Sequence, residues 1–229
     1  MVIIAQFHIM VYTIIVMNNV YISKNANKII KDYLVTKGYK IIEVESQADI
    51  DPPISCHPDI YMCDLGKSLF HGDTSTLTHD YPGHAIYNGC STGKFFIHNS
   101  KITAPELKKA VLDAGLIPIH VAQGYSKCNC VVVDENSIIT SDAGIQKACL
   151  NAGLDVLLIE KGQVVLEGYD YGFLGGASGK VGNFILFNGD ITLHSDYDKI
   201  KSFIEARNLE IVYFDQYPLT DIGSIIEEK

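Results

Sequence analysis

The chain repeats one order of polar and apolar positions. Four times a polar capping segment is followed by about a dozen residues of helical periodicity, a Gly or Asn stop, and a short apolar run. The copies are SKNANKIIKDYLVTKG then YKIIEV, TAPELKKAVLDAG then LIPIHV, SDAGIQKACLNAG then LDVLLI, and SDYDKIKSFIEARN then LEIVYF. Each predicts a helix and a strand, with stops at Gly38, Gly115, Gly153 and Asn208. In the second, Thr103 and Glu106 have the spacing of a capping box. Those stops are 77, 38 and 55 residues apart by subtraction of their positions. The first gap is about twice the second, so a fifth unit with a degraded helix is expected over residues 55–90. The third leaves room for an insertion, placed at Glu160 to Gly182.

Before the caps runs a two-stranded ribbon. DIYMC-DLGK-SLFH, NCVVV-DENS-IITS and NFILF-NGD-ITLH each join two apolar runs through a turn rich in Asp, Asn and Gly. TIIVM-NN-VYIS reads as a fourth hairpin, with Met1 to Ile9 ahead of it as a non-native or frayed extension. The unit is therefore strand, turn, strand, helix, strand. Such units cannot bury an apolar face alone and must pack around a centre or stack in a row. At about 40 residues each, five would close into a ring within one domain spanning 1–229.

Composition narrows the function classes. The 229 residues are 47% hydrophobic and 20% charged, with a net charge of −9, which argues against a nucleic-acid surface. Residues 1–23 carry no Lys, Arg, Asp or Glu. They lack the basic start and small-residue end of a signal peptide, and Asn18 and Asn19 interrupt any membrane span. Six cysteines without scaffold spacing read as reduced thiols of a cytoplasmic protein.

A ring of five such ββαβ units resembles the pentein, or α/β-propeller, fold of the guanidino-group-modifying enzymes. Through CHPDIYMC, YPGHAIYN, QGYSKC, ITSDAGI and GFLGGASG the chain is most similar to a bacterial family of unknown function assigned to that fold. The resemblance covers nearly everything after residue 17. It implies an α/β five-bladed propeller and either guanidino chemistry or the non-catalytic role of the ribosome anti-association initiation factor.

Aligned on their turns, the ribbons put Asp59, Asn129 and Asn183 at one position and His57, Lys127 and Val181 two residues earlier. In a closed ring these strand mouths would face one another. His57-Pro58-Asp59 also matches the His-x-Asp motif of the resembled enzymes, in which His is the acid/base and Asp binds the guanidinium. The chemistry stands without the resemblance, since a carboxylate takes a guanidinium through paired charge-assisted bonds and imidazole moves protons near neutral pH. The plain alternative is a capped strand mouth beside a surface histidine.

The resembled enzymes carry a nucleophilic cysteine in their last unit, after a Gly-rich run. Here GFLGGASGKVGN offers Ser178, Gly179 and Lys180 instead. Cys128 in QGYSKCNC is then the candidate nucleophile, with Lys127 beside it to favour a thiolate; a buried thiol is the alternative. Lys127, Asn129, Gly176, Ser178, Asn183 and His84 are the candidate ligand-binding residues, Gly176 and Ser178 through an anion-binding nest and His84 through a lid formed by HDYPGHAIYN. Paired CxxC or HxxxH spacing is lacking, so neither a metal nor any other cofactor is expected. The expected partner is a cationic guanidino or amidino compound, or a protein docked on the ring face; neither nucleic acid nor membrane is expected.

Overall fold

A computed structural model describes residues 18–228. It is a mixed α/β protein of small sheets, with fourteen strands and six helices among those residues. The first sheet holds β1 (Asn19–Ser23) parallel to β2 (Lys40–Val44), with α1 (Lys28–Thr36) as the crossover that parallel pairing requires. The single helical turn α2 (Pro58–Tyr61) leads into the second sheet, β3 (Met62–Asp64) antiparallel to β4 (Leu69–His71). In the third, β5 (Cys90–Ser91) runs antiparallel to β6 (Phe95–His98), and α3 (Pro105–Asp113) carries the chain to a parallel β7 (Ile117–His120). A second single turn, α4 (Ser126–Asn129), precedes β8 (Cys130–Asp134), β9 (Ser137–Thr140), α5 (Ala143–Asn151) and β10 (Asp155–Leu158), paired in the same way. The fifth sheet repeats it with β11 (Ser178–Val181), β12 (Phe184–Phe187), α6 (Tyr197–Glu205) and β13 (Glu210–Val212). The final strand, β14 (Ile226–Glu228), returns antiparallel to β1 and completes the first sheet.

The four predicted helices form for local reasons. Asn27 and Asp142 cap α1 and α5 by accepting the backbone N–H of Ile29 and Ile145. Gly38, Gly115, Gly153 and Asn208 all adopt the left-handed conformation that ends a helix (φ from +57° to +89°). Each helix buries residues four apart, such as Ile30 and Leu34, or Leu107 and Val111. Five apolar clusters result, and each draws on two sheets. Val20 and Ile22 meet Val181 and Leu186; Ile185 and Phe187 meet Val131 and Ile139; Cys130 and Ile138 meet Cys90 and Ile97; Phe96 meets Cys63 and Leu65; and Met62 meets Val44 and Ile226.

Several expectations change. TIIVM, the first arm of the N-terminal hairpin, lies outside the described residues, as does the frayed extension at 1–9. Both edges of β1 are occupied by β14 and β2, with Asn18 and Asn19 donating to Glu227 and Glu228. NFILF is the second strand of its hairpin, since β11 precedes it, and ITLH forms a 3-10 turn, Ile191–Leu193. The register differs from the expected one because the tight turn at Gly182-Asn183 is shorter than the NGD segment that resembles one. The insertion therefore ends before β11. The capping box does not form either. Ala104 is the N-cap of α3, Thr103 bonds His98 Nδ1 and the Asn99 carbonyl, and Glu106 accepts from the Tyr87 hydroxyl. Among the described residues no helix is long and apolar enough to cross a membrane.

Candidate functional site

The predicted strand mouths at His57-Pro58-Asp59 and Ser126-Lys127-Cys128-Asn129 are the helical turns α2 and α4. Pro58 at the first position suits such a turn, because its missing N–H would be unpaired there anyway. These turns bring Asp59 and Cys128 together: the Cys128 thiol donates to Asp59 Oδ2 at 3.0 Å. Asn88 Nδ2 donates to the same sulfur at 3.3 Å, and its Oδ1 accepts the backbone N–H of Lys127 and Cys128. Ser224 Oγ donates to Asp59 Oδ2 at 2.6 Å and accepts from Lys127 Nζ at 3.0 Å. Asp59 Oδ1, by contrast, is buried and has no partner. A lone acceptor buried on a carboxylate is costly, and it marks the place where a donor is wanted.

The segment that follows β13 supplies the other wall. Gly223 and Ser224 are both left-handed, at φ +71° and +73°. That pair of residues turns the chain so tightly that a Cβ on Gly223 would lie 2.0 Å from the His57 Cβ. For Ser224 the conformation is strained, and its hydroxyl holds Asp59. Asp221 accepts the backbone N–H of Phe173 and of Gly223, and its Oδ1 lies 3.9 Å from His57 Nδ1.

His57, Asp59, Asn88, Cys128 and Asp221 line a cavity of about 160 Å³, together with Tyr125, Tyr169, Tyr171 and Phe173 and the aliphatic Ile54, Ile60 and Leu166. Burial fixes the protonation states. It drives the His57 pKa down to about 4, against the pull of Asp59, so the imidazole is neutral at pH 7. The 3.9 Å approach to Asp221 is then not an ion pair at that pH. Burial raises Asp221 to about 6 despite its two backbone donors and Lys127. Burial raises the Cys128 thiol well above its ordinary value, and Asp59 and Asp221 raise it further.

That overturns the expected thiolate. Lys127 precedes Cys128 in the chain, but its ammonium reaches Ser224, while the Asp59 carboxylate bonds the sulfur and the charge of Asp221 adds to its effect. The remaining predicted residues divide. Lys127 and Ser178 line a second cavity, of about 280 Å³, with Lys67 and Lys180. Gly176 abuts Asp221, where a Cβ would fall 2.1 Å from Oδ1. The N–H groups of Gly176, Ala177 and Ser178 are spent on internal carbonyls, so that run is a close-packed bend and forms no nest. Asn129 is buried and donates to the Tyr125 carbonyl, away from the cavity. Asn183 sits exposed in the β11–β12 turn, because the hairpin register differs from the expected one. His84 stacks on Tyr125 and bonds its hydroxyl, so it supports the wall without lining it.

Asp221, Ser224 and the aromatic residues 169–173 were not anticipated. A legible signal existed for the first two: TDIGS runs into the apolar pair Ile225-Ile226 at the start of β14, as GGAS runs into β11. Residues 69–226 match a protein family described as a family of unknown function (DUF6873). The chain belongs to this family. Among curated proteins none matches the sequence. Asn88, Cys128 and Asp221 lie inside the DUF6873 match, and His57 and Asp59 precede it. His57, Asp59 and Cys128 each offer a ligand atom within 4.8 Å of the other two, a grouping among the described residues that could hold a divalent metal.

Proposed function

We propose that the protein is a cysteine-dependent hydrolase or transferase of a guanidino or amidino compound, built as a five-bladed α/β-propeller of the pentein type. The ring is supported by the five core clusters, which link the first sheet to the second and so on to the fifth, then the fifth back to the first. The observation that carries the activity is the cavity itself. It joins a sulfur, a neutral imidazole and an unpartnered carboxylate oxygen in one buried space.

The chemistry follows from the charges. Cys128 is held as a thiol by burial and by the charges of Asp59 and Asp221. A cation seated against Asp59 Oδ1 offsets those negative charges, so the substrate itself makes thiolate formation favourable. With the cation on Asp59, the thiol turns from Asp59 Oδ2 to His57, which has a ring nitrogen within 4.8 Å of the sulfur, and passes its proton there. The sulfur lone pair then forms a C–S bond to the amidinium carbon as the C=N π pair moves to nitrogen. Proton return from His57 lets the amine leave with the C–N bonding pair. Water, deprotonated by His57, next attacks the thiouronium carbon (thioimidate for an amidine), and C–S cleavage with proton return from His57 releases a urea (or amide) and the Cys128 thiol. A second amine in place of water gives transfer. The high thiol pKa of Cys128 favours one other reading, a non-catalytic member of the fold that only binds a small ligand or protein.

A cationic electrophile and its neutral counterpart separate the two. Chloroacetamidine should alkylate Cys128 at least tenfold faster than chloroacetamide at pH 7, and Asp59→Asn should abolish the difference, as read by peptide mass spectrometry. Equal rates, or adducts only on other cysteines, would sink the catalytic reading.

A further inference from the structure

The cavity also constrains the rest of the substrate. Among its described lining residues none is Lys or Arg. Its charged acceptors are Asp59, bonded to Cys128, and Asp221, beside His57; Asn88 donates to the same sulfur, and the other lining residues are aliphatic or aromatic. A carboxylate on the substrate would therefore be desolvated with no cation to receive it, beside two groups of its own sign. An apolar substituent would instead lie on Ile54, Leu166 and Phe173, and a cation gains from the tyrosine faces. The volume, about 160 Å³, compares with cavities of about 150 Å³ that enclose benzene. The enclosed part of the substrate is thus about six heavy atoms, a guanidinium head with one or two carbons.

Resting on the hydrolase reading, we infer that the substrate is a small monocationic alkylguanidine or alkylamidine without a carboxylate, and not a guanidino acid. The two tyrosine hydroxyls point to other partners: Tyr169 donates to the Asp51 carboxylate, and the Tyr125 hydroxyl is taken by His84. Neither side chain presents a positive charge to a tail.

Titration calorimetry on the intact wild-type protein with N-ethylguanidine and with guanidinoacetate tests this, since the two share a head group and differ in the carboxylate. Ethylguanidine should bind at least tenfold more tightly, and Asp59→Asn should remove that binding. Guanidinoacetate binding as tightly or more tightly overturns the inference, as does failure of ethylguanidine to bind at millimolar concentration. The two levels fail separately. Preferred hydrolysis of guanidinoacetate would leave the catalytic reading standing and this inference overturned. Selective ethylguanidine binding without ammonia or amine release would do the reverse.

Discussion

Gly223 joins the site to the stability of the fold, and replacing it by alanine gives a prediction whose size can be worked out. Two costs arise. The first is conformational, because an L side chain at φ +71° costs about 1–2 kcal/mol. The second is steric, because the new methyl would fall 2.0 Å from the Cβ of His57 and 2.4 Å from its Cα. One of those contacts is backbone, so a rotamer change cannot relieve it, and overpacking of this kind costs about 1–3 kcal/mol. Gly38 supplies the control. It ends α1 at φ +85°, and a methyl added there would meet nothing within 4 Å, so Gly38→Ala carries the conformational cost alone. Urea unfolding at pH 7 should show Gly223→Ala less stable than Gly38→Ala by about 1–3 kcal/mol. In a domain of this size that difference lowers Tm by roughly 2–12 °C. Gly223→Ala should also lose the selective Cys128 labelling, because His57 must move, whereas Gly38→Ala keeps it. Equal destabilisation by the two variants would refute the close packing of the C-terminal turn on His57.

The titratable groups make further predictions. Asp221, with a folded pKa raised to about 6, contributes stability that is present below the ordinary carboxylate pKa and lost as pH rises through 6. His57 and His98, both lowered to about 4 by burial, contribute stability present above pH 6.5 and lost as pH falls through 4. The two effects oppose each other between pH 4 and 6. Asp221→Asn should therefore steepen the rise of stability with pH in that window by up to about 1.4 kcal/mol per unit; an unchanged slope would show that Asp221 does not titrate there. If the site turns over alkylguanidines, kcat/KM should fall below pH 6 as Asp221 takes a proton and cation binding weakens. Lys127→Met should move that limb to higher pH, because the lysine charge helps to keep Asp221 ionised; a fixed limb would exclude the link. All six cysteines are buried, so a neutral thiol reagent should modify the native protein slowly at every position, and one rapidly reacting cysteine would contradict that arrangement.

Local chemistry made much of this protein legible in its sequence. Apolar residues four apart and left-handed stops, with capping side chains at α1 and α5, specify α1, α3, α5 and α6 within a few residues of chain, because the forces that define a helix act over one or two turns. His57, Asp59 and Cys128 could be singled out by residue type. Their meeting could not, because residues 59 and 128 are joined only through the packing of separate sheets, and α2 and α4 are too short to carry a periodic signal. The state of the sulfur was decided the same way. By sequence its neighbour is Lys127, yet tertiary structure turns that ammonium to Ser224, sets Asp59 against Cys128 and adds the charge of Asp221. Asp221, Ser224 and β14 depend on the chain returning from its far end to pair with β1, a contact between residues more than 200 positions apart that no local pattern encodes. Helices and candidate residues thus follow from short-range chemistry, whereas the cavity, its unpartnered oxygen and its shifted pKa values exist only where distant segments exclude water together.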